Sequence, residues 1–360
     1  FGQGETGVVE RVEQSPAQIV ENLQVLTTNN PSICVENIEF DIFGFSRGAA
    51  AARHFANEVL KNSRSILAKS LDSRSPAFTP NFSIKENTSI NFIGLFDTVA
   101  AIGDPANAHL SVGDDYNPGV NLYLPPDCAR KVVHLTAADE HRHNFSLNRV
   151  SAPHEELVLP GVHSNLGGGY PTLSYERLVI GRPVFFLSNH YPLDGPSRQQ
   201  LIRSRAWRVR QQEEERFRAR GLPGNGRFER HEEVVGQSPN ARVLLTLSII
   251  RSVRGELSRV SLKVMHAKAS IAAVPFGALN DADGRFAIPT DLEPIADKVF
   301  SACMAGHSPI LSIEEKRFLH SRYIHSSANW VPVKGFMANK PRHDFIRAIY
   351  PDEQQNGYPA

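Results

Sequence analysis

Ile38-Glu39-Phe40-Asp41-Ile42-Phe43-Gly44-Phe45-Ser46-Arg47-Gly48-Ala49-Ala50-Ala51-Ala52-Arg53-His54-Phe55 is the stretch that decides the fold. Ile38, Phe40, Ile42 and Phe43 read as a buried strand, and the alanines after Gly48 have high helix propensity. Between them lies Gly44-Phe45-Ser46-Arg47-Gly48, so the order is strand, sharp turn, helix. A serine that attacks a carbonyl needs its Oγ held up on such a turn, and a glycine two residues to either side lets neighbouring backbone pack close. The same geometry aims the backbone N–H of Arg47, at a helix N-terminus, toward the place where a tetrahedral oxyanion would form. Ser46 is a candidate nucleophile on these grounds, and a structural strand-to-helix turn is the bland alternative.

The chain has 360 residues, 41% of them apolar, enough for one large α/β domain or two smaller ones. A formal net charge of +1 implies no general affinity for nucleic acid or anionic membranes, so charge has to be read locally. Cys34, Cys128 and Cys303 are widely spaced and form no CxxC pair, which supports neither a disulfide framework nor a zinc site. No apolar run approaches the length of a membrane span, and the N-terminus lacks the basic and apolar regions of a signal peptide. The chain begins Phe1-Gly2-Gln3-Gly4, and only 45 residues precede Ser46. In an α/β-hydrolase the strand and loop that supply the second oxyanion N–H lie further upstream than that, so this donor is expected on an N-terminal segment outside the chain.

Three further apolar stretches follow the elbow. Ile90 to Phe96 ends at Asp97-Thr98, Lys131 to Ala138 ends at Asp139-Glu140, and Glu156 to Val162 ends at His163 and Gly167-Gly168-Gly169. Four strands that each end in a polar loop resemble the C-terminal edge of an open, mainly parallel sheet, where α/β proteins bind ligands. The segment between the first two holds one good helix, Ala49 to Leu67, and fits a βαβ crossover. Ile102 to Pro126, rich in Gly, Asp, Asn and Pro, reads as a long loop over the site. Arg198 to Arg220 carries eight arginines against three glutamates and is followed by a Gly/Pro-rich linker, so it reads as an inserted basic helix. From about Ala241 the pattern turns helical, with runs at Leu257 to Met265, Ile295 to Met304 and Glu314 to Ile324. The expected architecture is α/β: a mainly parallel, α/β-hydrolase-like sheet with helices on both faces, plus an inserted and a C-terminal helical module. The boundaries are 1–170 for the catalytic core, 171–240 for the basic insertion and 241–360 for the C-terminal helices.

A serine nucleophile needs a base within hydrogen-bond reach, and the base needs an acid to fix its tautomer. Asp97 and His163 each lie at the end of an expected strand, in the order acid then histidine, so the sheet would hold both over the same edge as Ser46. Asp139 is a competing acid, but Asp139-Glu140-His141-Arg142-His143 looks more like a helix start laced with ion pairs. His134 lies inside a strand and reads as a satisfied core histidine, whereas His141, His143 and His154 read as surface or loop residues. The glycine run after His163 lacks the GxGxxG spacing of a phosphate loop and reads as a flexible turn. A metal site at Asp139, Glu140, His141 and His143 is disfavoured because no helical HExxH spacing occurs there. The basic helix is a solvated surface helix, a nucleic-acid contact or an interfacial segment on anionic lipid; Arg205, Trp207, Arg208 and Arg210 suit the headgroup region in the last case.

Taken in order, several segments resemble the antibacterial lipase effectors of the type VI secretion system, in the first of their families, built on a hydrolase domain long catalogued as of unknown function. They are Phe1-Gly2-Gln3-Gly4, Gly44-Phe45-Ser46-Arg47-Gly48-Ala49-Ala50, Gly94-Leu95-Phe96-Asp97-Thr98-Val99, the Asp139-Glu140 segment, Pro160-Gly161-Val162-His163-Ser164-Asn165-Leu166-Gly167-Gly168-Gly169-Tyr170, Leu262-Lys263-Val264-Met265 and Tyr323-Ile324-His325-Ser326-Ser327-Ala328-Asn329-Trp330. The resemblance implies a phospholipase of A type with an α/β-hydrolase core and Ser46, Asp97 and His163 as the triad, needing no cofactor. It implies a membrane phospholipid substrate, a cognate immunity protein, a type VI delivery component, no nucleic-acid partner, and action in the periplasm of rival bacteria after synthesis in the cytoplasm. The chain departs from the family in lacking the upstream aspartate-glycine-threonine motif, and in carrying Asn165 where many relatives carry aspartate. Two other classes remain as alternatives: a non-catalytic membrane- or partner-binding module on a hydrolase fold, and a small-ester or thioester hydrolase.

Overall fold

The computed structural model describes residues 7–72, 75–100, 119–187, 196–235, 242–332, 337–343 and 345–354. In chain order these form α1 (Val8–Asn29), β1 (Ile38–Phe45), α2 (Arg47–Leu60), a 3-10 turn (Asn62–Arg64), α3 (Ile66–Ser70), α4 (Ile84–Asn87), β2 (Thr88–Phe96), β3 (Lys131–Ala137), β4 (Leu147–Asn148) and β5 (Glu155–Leu159). There follow α5 (His163–Leu166), β6 (Leu173–Val179), β7 (Val184–Leu187), α6 (Pro196–Ala219), β8 (Arg227–Val235), β9 (Arg242–Arg254), α7 (Leu257–Ile271), α8 (Glu293–Met304), α9 (Ile313–Arg322) and β10 (Ile349–Tyr350).

The four strands expected from the sequence pair in the order β1-β2-β3-β5, all parallel. Phe45 is level with Phe96, Phe96 with Leu135, and Ala137 with Leu159, so the residues just after each strand collect along one edge. The sheet is covered on both faces, as its apolar strands require. On one face α2 buries Ala49, Ala52, Ala56 and Val59 against Ile42, Ile93 and Leu95. On the other, Val260, Val264 and Met265 of α7, with α8 and α9 behind, pack on Phe92, Val133 and Leu135. The helix after the elbow is shorter than the expected Ala49 to Leu67; it stops at Leu60, and α3 resumes at Ile66. The expected loop from Ile102 to Pro126 lies largely outside the described residues.

The stretch 171–254 differs from its reading. The expected basic helix and the linker after it are present as α6 and the turn that follows, but strands flank them, and β9 stands where helix was expected from Ala241. β9 is a 13-residue strand that pairs antiparallel with β6, β7 and β8. Its buried residues Val243, Leu245, Leu247, Ile249 and Val253 recur at a spacing of two, the period of a strand with one packed face. α6 lies against this second sheet, with Ala206 and Trp207 packed on Val243, Leu245 and Val184. The three helical runs expected further on are α7, α8 and α9. Among the described residues no helix is long and apolar enough to cross a membrane.

Candidate active site

Ser46 stands between β1 and α2 with φ 59° and ψ −125°, a conformation that L-residues seldom adopt. The turn is held by Ser46 N–H donating to the Phe96 carbonyl (3.0 Å) and by the Ser46 carbonyl accepting from Ala49 and Ala50 N–H (3.0 and 3.2 Å). Of the two flanking glycines, only Gly44 is needed for space. A Cβ there would lie 2.3 Å from the Gly48 carbonyl oxygen and 2.7 Å from Ala49 Cα, so β1 and α2 meet backbone to backbone. A Cβ on Gly48 would meet nothing within 4 Å, which corrects the expectation that both glycines permit close packing. Arg47 opens α2, at the positive end of its backbone dipoles.

Asp97 follows Phe96 directly, has φ 47°, and is fully buried. His163, the first residue of α5, is also buried, and its Nδ1 lies 2.5 Å from Asp97 Oδ2. An ionised carboxylate only accepts, so Nδ1 carries the proton in this pair and Nε2 keeps the lone pair that a general base needs. The imidazole is clasped between Phe45 (ring centroids 4.5 Å apart) and the edge of Phe145 (4.9 Å, 73°). Phe45 in turn leaves no room beneath it: a Cβ on Gly167 would strike its ring at 2.4 Å. Gly167 is therefore fitted under Phe45, while Gly168 turns in open space with a left-handed conformation (φ 72°) and Gly169 lies against Ser164. Among the described residues no hydrogen bond joins Ser46 Oγ to the imidazole; Ser46 follows β1 and His163 follows β5, at the two outer strands of the sheet, with Asp97 at the end of β2 and the imidazole brought back against Phe45.

The environment of the acid was not foreseen. Arg347 reaches Asp97 with both terminal nitrogens, Nη1 to Oδ1 at 2.6 Å and Nη2 to Oδ2 at 2.8 Å, and Ala137 N–H donates to Oδ1 at 2.9 Å. Burial by itself would raise the Asp97 carboxyl; the Arg347 charge and the hydrogen bonds from His163 and Arg347 outweigh it and hold the group well below the usual carboxylate range.

Asp139, the competing acid, is occupied elsewhere. Its Oδ2 accepts from Gly161 N–H (2.8 Å) and its Oδ1 lies 3.2 Å from His320 Nε2. Glu140 forms the expected ion pair, with Arg142 Nε and Nη2 at 2.9 and 2.8 Å, but starts no helix. It also accepts from the backbone N–H of His163 at 3.2 Å, fixing the loop that carries the imidazole. Burial opposes its ionisation, yet Arg142 prevails and the carboxyl is pushed down to about 2. His134 is a satisfied core histidine as expected: Nε2 accepts from Thr98 N–H (3.1 Å) and Nδ1 faces Glu156 Oε2 (3.2 Å), while burial pushes it toward the neutral form. Asn165 caps Val162 N–H (3.2 Å) and holds the Tyr323 carbonyl and His325 Nδ1, each at 3.0 Å. His325 is packed flat on Tyr170 (3.5 Å, 5°) and burial pushes it down to about 3. Among the described residues no group of three or more His, Cys, Asp or Glu is arranged to hold a metal ion. His141 and His143 instead donate to the Asp139 and Lys340 carbonyls.

On α6, Arg205 and Arg208 are exposed, but Trp207 is half-buried against β9 and Arg210 is only 2% exposed. Arg210 ion-pairs with Glu213 at 2.6 Å and donates to the Arg182 carbonyl at 2.5 Å. Arg210 is thus an internal strut of the inserted module, which removes it from the face expected to meet lipid.

Beside Phe45 a cavity of about 610 Å³ opens between the end of β1 and α7. It is lined by Phe43, Phe45, Phe96, Leu166, Tyr170 and Leu262, with Arg259 and Arg285 also in its wall. Residues 61–179, which carry Asp97 and His163, match the family model described as the catalytic domain of the type VI secretion phospholipase effector Tle1-like family. Those residues are similar to a Tle1-like catalytic domain. A solved structure of the Tle1 effector bound to the VgrG spike of the type VI secretion system is similar along 96% of this chain, with 29% identity and a TM-score of 0.73. The chain described here spans 73% of that effector. A crystal structure of an uncharacterized protein from Pseudomonas aeruginosa aligns with 86% of the chain and 34% of its own length at 21% identity and a TM-score of 0.37, too low to carry an argument. No curated protein sequence matches. The matched model describes phospholipase effectors, so the chain is similar over this segment to ester hydrolases of that secretion system.

Proposed function

We propose that the chain is a serine phospholipase of A type, with Ser46 as nucleophile, His163 as general base and Asp97 as the acid that orients it. The observation that carries this reading is the buried 2.5 Å pair between His163 Nδ1 and Asp97, set on the strand end adjoining the Ser46 elbow. Ser46 Oγ attacks the acyl carbonyl, and its proton passes to His163 Nε2; Asp97 balances the imidazolium. The backbone N–H of Arg47 supports the oxyanion. Collapse of the tetrahedral species transfers the proton to the departing lysolipid alcohol, and water then cleaves the acyl-serine by the same relay. A carbonyl seated against Phe45 has an apolar recess of about 610 Å³ beside it, the size of pockets that enclose drug-sized ligands. Because the similar Tle1 effector was solved bound to VgrG, we assign delivery of this chain to a VgrG-type spike, with the periplasmic membrane of a rival cell as target and a cognate immunity protein in the producer.

The test is release of fatty acid from phospholipid vesicles by wild type, Ser46→Ala and His163→Ala. Each variant should lose roughly 10⁴-fold or more in kcat with an unchanged circular dichroism spectrum. Turnover retained by either variant would end the triad reading. Wild-type activity on short soluble esters but not on vesicles would replace phospholipid by a small ester as substrate.

A further inference from the structure

We propose that Arg347 is a positioning residue for the acid of the triad, fixing the Asp97 carboxylate toward His163 and offsetting part of its charge. The inference rests on the serine-hydrolase reading of Ser46, Asp97 and His163.

An acid whose only task is to accept from imidazole can be held by neutral donors. Here it is held by a two-pronged guanidinium, the donor that matches a carboxylate plane for plane and so fixes its rotation as well as its place. Arg347 has no freedom to wander. Its Nε donates to the Phe145 carbonyl at 2.7 Å, and Phe145 is the ring whose edge rests on His163. The next residues form β10, paired with β4 as Ile349 to Leu147 and Tyr350 to Asn148. Beyond them Asp352 meets the fully buried Arg53 of α2 at 2.7 Å, and Arg53 also donates to the Asn148 carbonyl at 3.0 Å. Asn148 closes the circuit: its N–H donates to the Thr98 carbonyl (3.0 Å) and its Oδ1 accepts from Ala100 N–H (3.2 Å). The carboxy-terminal segment thus straps down the acid and the backbone that follows it.

The charge has its own consequence. Among the described residues, the groups facing the Asp97–His163 pair are His134 from β3, the Glu140–Arg142 ion pair whose Glu140 accepts from His163 N–H, and Arg347. Of these, His134 is neutral and Glu140 is matched by Arg142, which leaves Arg347 as the charge that balances Asp97. Removing it leaves the carboxylate to act on the imidazole alone. The imidazole is then protonated more readily, and a protonated imidazole cannot take the serine proton.

The experiment is kcat and KM against pH for wild type, Arg347→Lys and Arg347→Gln, on phospholipid vesicles and on a short chromogenic ester. Arg347→Gln should lower kcat by about 10- to 100-fold with KM within about twofold. It should also move the acidic limb of kcat/KM upward by about one pH unit, the ordinary effect of an uncompensated neighbouring charge. Arg347→Lys keeps the charge but loses the fork; its limb should stay near wild type while kcat falls several-fold. An unmoved limb in Arg347→Gln, whether or not kcat falls, would overturn the proposal and leave Arg347 a packing residue. Should Arg347→Gln fail to fold, Arg347→Lys decides, and wild-type kcat in that variant overturns it. Ser46→Ala separates the two readings: hydrolysis surviving there removes the triad itself, whereas its loss beside an indifferent Arg347→Gln removes only the role of Arg347.

Discussion

Gly44 and Gly48 stand two residues to either side of Ser46, yet only Gly44 is crowded. Gly44→Ala drives a methyl group into the Gly48 carbonyl and should lower stability by about 1–3 kcal/mol or more, because neither β1 nor α2 can retreat. Gly48→Ala places alanine in open space in the first turn of α2 and should raise stability by roughly 0.5–1 kcal/mol. Urea midpoints of the two variants check the pair, and equal destabilisation by both would contradict the asymmetry. The same contrast explains what was legible at this scale. Ser46, Asp97 and His163 could be read because each ends a strand whose apolar run is plain in the sequence. Arg347 could not: it lies 250 residues beyond Asp97, in a short stretch with no periodicity to mark it. Glu140 was visible as half of an ion pair, but its hold on the His163 N–H depends on how two loops meet.

At the scale of elements, the parallel strands and the late helices were legible, since buried strands are continuous apolar runs and α7 and α8 each bury a helical stripe, whereas α9 buries Leu319 alone and is marked by its Ser312–Glu315 capping box. β9 was legible in principle through its alternation, but Arg251 occupies a position where the apolar series would continue. That arginine is buried and satisfied by Glu176 at 2.8 Å and by the His320 and Ile324 carbonyls, partners that only the fold supplies. α6 divides its arginines in the same way. Arg205→Glu with Arg208→Glu should weaken binding to anionic vesicles while leaving the melting temperature within about 1 °C, as exposed substitutions do. Arg210→Ala should cost roughly 1–3 kcal/mol, because it strands Glu213 and the Arg182 carbonyl. Vesicle co-sedimentation and thermal melts check both. Loss of vesicle binding in Arg210→Ala with no loss of stability would put that side chain on the surface.

For the molecule as a whole, burial of ionisable groups sets how stability depends on pH. His325 is held down to about 3, against an unfolded value near 6.5, so the unfolded chain binds the extra proton throughout that interval. Its neutral burial therefore withdraws stability as pH falls below about 6.5, and His134 acts in the same direction. Glu140, with its folded value near 2, contributes stability that is complete above the unfolded value near 4.5 and is lost as pH falls toward 2. The melting temperature should accordingly fall in two overlapping stages, from about pH 6.5 and again from about pH 4.5. His325→Gln should flatten the first stage and Glu140→Gln the second. A melting temperature constant from pH 7 to pH 4 in the wild type would contradict the assignment.

The strap from Arg347 to Asp352 also has a meaning in time. Synthesis runs from the N-terminus, so Ser46, Asp97 and His163 all emerge from the ribosome before the arginine that seats the acid, which follows Asp97 by 250 residues. The strands β1, β2, β3 and β5 all precede residue 160, whereas α7, α8 and α9, which cover one face of their sheet, come later in the chain. On the reading proposed above, the Asp97–His163 pair gains its guanidinium clamp only after residue 347 has been made, later than every strand of the sheet that carries it.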